Sequence, residues 1–137
     1  AKGGVEFFFT CTSGGAGRFG QIMHYVPSPN EGTSNEANQP GQLALFHESS
    51  NPQLMDYADN LTVAPWGHLI VCEDRTGSKV NHLRGVTPDG QTYTLARLNA
   101  DTELAGACFS PDGKTLFVNA YSPGRTLAIS GPWAAGV

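Results

Sequence analysis

Leu61-Thr62-Val63-Ala64-Pro65-Trp66-Gly67-His68-Leu69-Ile70-Val71-Cys72 returns further along the chain as Ala107-Cys108-Phe109-Ser110-Pro111-Asp112-Gly113-Lys114-Thr115-Leu116-Phe117-Val118. Each copy is an apolar run, a Pro-x-Gly corner and a second apolar run. Pro65 to Pro111 and Gly67 to Gly113 both span 46 residues, and a third corner, Val86-Thr87-Pro88-Asp89-Gly90, puts Gly90 23 residues from each flanking glycine. Proline pre-sets φ at the first corner position and glycine takes the positive φ of a tight hairpin. A hairpin every 23 residues and a pair every 46 match a propeller blade, a four-stranded unit of about 40–50 residues.

Read outward from this repeat, the chain is all-β, a β-propeller fragment of about two and a half four-stranded blades. Residues 1–58 form a partial blade with a long loop, 59–101 a complete blade and 102–137 a partial last blade. Strands are expected near Val5–Thr12, Gln21–Val26, Gln42–Glu48, Leu61–Ala64, His68–Cys72, His82–Val86, Gln91–Leu98, Gly106–Ser110, Thr115–Asn119 and Thr126–Ser130. The first unit is expected to lack its innermost strand, and the polar stretch 28–41 reads as a long surface loop or flexible segment. Ten strands cannot close a ring, so the missing blades come from upstream sequence or from another chain. A free-standing ten-stranded sandwich is the other arrangement.

Of the 137 residues, 39% are hydrophobic and 15% charged, with 17 glycines and 9 prolines. That mixture suits short strands and many turns. The net charge of −4 argues against nucleic acid or an anionic membrane as partner, and no apolar run approaches the ~20 residues that span a bilayer. No signal peptide is read, and the opening residues run straight into Val5-Glu6-Phe7-Phe8-Phe9, as a cut inside a domain does. Cys11, Cys72 and Cys108 each lie in an apolar run and read as buried free thiols.

The main chemical signal is Asp59-Asn60 before one strand and Glu73-Asp74 after its partner. Asp59 lies seven residues before Trp66, at the centre of the corner, and Glu73 seven after it. Antiparallel residues equidistant from a turn face each other with Cβ atoms about 4.5–5.5 Å apart, subject to a slip of one in register. Two opposed carboxylates repel unless a cation lies between them, and hard oxygen donors suit calcium, magnesium or manganese. In the next blade the matching positions are Ala105 and Asn119, so the blade itself does not demand the pair. A solvated acidic rim is the alternative. Glu103 is either a further carboxylate at this end of the ring or a plain loop residue.

His24, His47, His68 and His82 have no zinc-ligand spacing and read as strand or turn residues. Gly14-Gly15-Ala16-Gly17-Arg18 reads as a hairpin loop, since no Lys-Ser/Thr follows it. Arg84 and Arg125 are either phosphate contacts or strand arginines at a sheet edge. No nucleophile elbow occurs.

Phe9-Thr10-Cys11-Thr12-Ser13-Gly14-Gly15, Asp59 to Pro65, Leu69 to Asp74, Leu83 to Gly90, Ala105 to Asn119 and the closing Ile129-Ser130-Gly131-Pro132-Trp133 resemble, in order, blocks of the PhoX-type alkaline phosphatases. The resemblance implies a six-bladed propeller with a calcium and iron cluster at the mouth of its channel. It implies hydrolysis of small-molecule phosphate monoesters, in the periplasm or outside the cell. It makes Asp59 and Glu73 metal ligands, with Asp74 and Glu103 beside them, holding metal rather than acting as acid or base. The family's other carboxylates and its cluster cysteine have no counterpart here, so this piece alone is expected to be inactive. Ala120-Tyr121 stands where the family usually has Ile-Gln. The rival readings are another calcium-dependent propeller hydrolase of the lactonase kind, and a non-catalytic propeller serving as scaffold.

Overall fold

A computed structural model describes residues 5–75, 77 and 80–133. Among them are ten strands in three antiparallel sheets. The first sheet holds β1 (Phe7–Cys11), β2 (Gln21–Val26) and β3 (Gln42–Glu48). The second holds β4 (Ala58–Val63), β5 (Leu69–Glu73), β6 (Asn81–Val86) and β7 (Thr92–Leu98). The third holds β8 (Leu104–Phe109), β9 (Thr115–Ala120) and β10 (Arg125–Ser130). All ten fall where the repeat places them. The order is that of consecutive propeller blades, one with four strands and two with three.

The three corners are built alike. Gly67, Gly90 and Gly113 all have φ between 69° and 88°, and each donates its N–H back to the residue three before it, Ala64, Thr87 and Ser110. A side chain there would be strained, which is why the corner recurs with glycine in place.

The second sheet is sandwiched between the other two. Every residue of β5 is buried, because its faces serve two cores. Leu69 and Val71 join Ile22, Met55, Ala58 and Val86 on the side of the first sheet. Ile70 and Cys72 join Leu83, Leu104, Leu116 and Val118 on the side of the third. Alternation therefore puts Glu73 on the first-sheet face, directly in line with Leu69 and Val71.

Two expectations change, the missing inner strand of the first sheet and the burial of all three cysteines, while the surface loop over 28–41 stands. The first sheet has its inner strand: β1 packs on β4, as β4 packs on β8, and the Thr10 hydroxyl donates to the Asp59 carbonyl. The fourth strand absent among the described residues belongs outside β3. Stretch 28–41 is a tied loop, since the buried Ser28 donates its hydroxyl to the Gln39 carbonyl at 2.7 Å and its N–H to Glu31 Oε2 at 2.9 Å. Of the cysteines only Cys72 is buried. Cys108 is exposed because it pairs with Phe117 on the face turned away from the second sheet.

Gly85 lies opposite Tyr93, whose ring covers it. A Cβ built there sits 1.9 Å from the Tyr93 ring. Gly85→Ala should therefore cost about 1–3 kcal/mol in denaturant unfolding, as other overpacked sites do, and much less when combined with Tyr93→Ala.

Candidate metal centre

The β4–β5 ladder follows the expected register from Val63↔Leu69 through Leu61↔Val71 and then shifts. Ala58, not Asp59, pairs with Glu73. Asp59 and Asn60 together oppose Cys72 in a bulge, and such a slip turns side chains to the other face. The expected face-to-face pair of Asp59 and Glu73 is thus absent. The two carboxylates have separate surroundings.

Glu73 is 2% exposed. Its Oε1 accepts Arg84 Nε at 2.7 Å and the Asp56 N–H at 3.1 Å. Its Oε2 accepts the His82 N–H at 2.9 Å and lies 2.7 Å from His82 Nδ1. Arg84, itself buried, donates from Nη1 to Thr94 at 2.6 Å. The carboxylate therefore fastens the entry to β4 and the start of β6, and through Arg84 it reaches β7. These groups line an open cleft of about 420 Å³ with Asp56 and Arg75.

Asp59 is held from the neighbouring blade, its Oδ1 accepting the Thr12 hydroxyl at 3.2 Å and its Oδ2 the Asn60 amide. Asp74 follows β5 and donates its N–H to the Tyr57 carbonyl at 2.9 Å. Glu103 immediately precedes β8. The Asp74 carboxyl within hydrogen-bonding reach, partial loss of water and the charges of Asp74 and Asp59 hold the Glu103 carboxyl above its ordinary range. A second cleft, of about 200 Å³, opens between Asp74 and Glu103 and includes Asp101 and Thr102. The structure thus puts Asp74 and Glu103 on one cleft, with Asp59 close enough for its charge to act on Glu103, and gives Glu73 a cleft of its own. Among the described residues no group of three His, Cys, Asp or Glu side chains closes into a metal-holding set.

The donors are hard oxygens crowded against like charge, which fits calcium or magnesium. They are too few to fill the six to eight positions of calcium alone. Burial pushes the Cys72 thiol up to about 11, with the Asp59 charge adding to it, so Cys72 stays protonated.

The histidines have local partners: His24 on Glu6, His47 on the Gly90 carbonyl, His68 on the Tyr93 hydroxyl. Sequence reasoning missed the partnership of His82 and Arg84 with Glu73. The signal was present: positions two apart on a strand share a face, and a charged residue in an apolar strand needs a partner of opposite charge. Arg84→Ala would leave Glu73 buried and short of its cation, so it should lose about 3–5 kcal/mol in thermal or denaturant unfolding. Glu73→Gln with Arg84→Met should recover most of that loss. An Arg84→Ala protein that melts like the wild type contradicts the assignment.

The chain matches the family model described as alkaline phosphatase PhoX over residues 1–124. No curated protein and no solved structure matches it. The match covers the three blades as far as the start of β10, and with them the acidic cluster. The chain belongs to the PhoX alkaline phosphatase family, and its function is of the phosphatase type.

Proposed function

We propose that the chain is part of a metal-dependent hydrolase of phosphate monoesters, and that it contributes Asp59, Asp74 and Glu103 to a calcium-holding centre between adjacent blades. The observation that carries the reading is that these carboxylates have no ion pair to a basic side chain among the described residues, whereas Glu73 nearby has its own guanidinium. Like charges kept this close favour a shared cation. Asp59 presents its carboxylate from the bulge, steadied by Thr12 and Asn60. Asp74 and Glu103 present theirs from the ends of β5 and the approach to β8. Glu73 acts through position only, by tying down the segment that leads into Asp59. Bound calcium would supply positive charge for the phosphate and would acidify a bound water or hydroxyl. Iron would take its ligands from residues outside this chain.

Further blades complete the ring, from upstream sequence or from a second chain. Support comes from one face of the first sheet, where Phe7, Phe9, Leu43 and Leu45 are all at least 44% exposed and stand in two cross-strand rows, Phe7–Tyr25–Leu43 and Phe9–Met23–Leu45. An apolar face of that extent is a packing surface. The substrate is a small phosphate monoester, and the compartment is the periplasm or the exterior. No helix among the described residues is long and apolar enough to cross a membrane.

In the intact protein, Asp59→Asn and Glu103→Gln should each lower phosphatase activity more than about 100-fold, beyond what loss of an outer-shell contact does. Calcium content should fall with it. Glu73→Gln should act on melting temperature more than on calcium. Wild-type activity and calcium content in both ligand variants overturn the reading.

A further inference from the structure

Two asparagines lie beside the acidic residues and tie the second sheet to the third. Asn60 Oδ1 accepts the N–H of Gly106, 46 residues on, at 2.8 Å, while its Nδ2 donates to Asp59 Oδ2. Asn81 is fully buried. Its Oδ1 accepts the N–H of Arg75, next after Asp74, at 3.0 Å, and its Nδ2 donates to the carbonyl of Thr102, next before Glu103, at 2.8 Å. Each amide therefore joins the second sheet to the third, and each does so beside an acidic residue at both or one of its ends.

The chemistry leaves little choice of residue. A backbone N–H can only donate, while an ionised carboxylate or a carbonyl can only accept. A side chain bridging the two must accept at one end and donate at the other, at short reach. Asparagine does both, aspartate cannot donate, and leucine does neither. Asn60 spans the blade repeat itself, since Gly106 occupies the position in the third sheet that Asn60 occupies in the second.

We infer that Asn60 and Asn81 are positioning residues, inter-blade struts that fix the backbone segments carrying Asp59, Asp74 and Glu103 relative to one another, so that a cation has less gathering to do. The inference rests on the metal-centre reading above. Without the struts the carboxylates are free to swing apart under their own repulsion, and the cation has to gather them at a cost in affinity.

Asn60 is the better place to test it, being partly exposed where Asn81 lies deep. In the intact protein, calcium titration by calorimetry and the calcium-free melting temperature are measured side by side. Asn60→Ala should weaken calcium binding about 10–100-fold, the range for lost outer-shell partners. Asn60→Ser, which keeps a hydroxyl for either neighbour, should weaken it less and secures the test if the alanine variant does not fold. Wild-type calcium affinity in the folded variants overturns the proposal, whether or not melting falls. Asp59→Asn serves as the control: wild-type calcium binding there brings down the metal centre itself, while lost binding there with normal binding at Asn60→Ala brings down only the struts.

Discussion

A negative charge removed from water has to be answered by a positive one, and at one end of the second sheet that requirement sorts four carboxylates into two kinds. Glu73 goes inward on the face of Leu69 and Val71 and meets Arg84, His82 and two backbone N–H groups. Asp59, Asp74 and Glu103 stay at the rim, with no ion pair to a basic side chain among the described residues. The first arrangement closes on itself. The second sets like charges beside one another where the blades meet.

The device that separates the two is a single extra residue. With regular pairing Asp59 would stand across from Glu73 on the same face. The bulge at Asp59-Asn60 puts Ala58 there instead and completes the apolar layer with Met55 and Ile22. Asp59 is released toward Thr12 on one side, and Asn60 toward Gly106 on the other. The third sheet bulges in the corresponding region, between Ala105 and Cys108, where Ala105 takes the matching place and no charge arises.

The fold was legible because its signal is periodic and local. Pro-x-Gly corners such as Pro65 to Gly67 mark hairpins with a φ only glycine takes easily, and their spacing counts the blades. The acidic residues were legible as types at one end of a hairpin. Their grouping was not, because a bulge leaves no mark in spacing and shifts every later partner. The Arg84–Glu73 pair was hidden for a related reason: charges on neighbouring strands look alike in sequence whether they meet or point apart. Cys108 was placed in the core by its apolar neighbours, yet its face depends on which side of β8 a sheet covers. The inner position of β1 likewise became visible only through its packing on β4.

The central claim is that the cation belongs to Asp59, Asp74 and Glu103, with Glu73 reserved for Arg84. The most direct measurement is a crystal structure of the intact protein grown with calcium, read for metal–oxygen distances. The account predicts a calcium at about 2.3–2.6 Å from carboxylate oxygens of Asp59 and Glu103, with Glu73 still bound to Arg84 Nε. A calcium coordinated by Glu73 with the Arg84 contact broken, or one with neither Asp59 nor Glu103 in its shell, would contradict it.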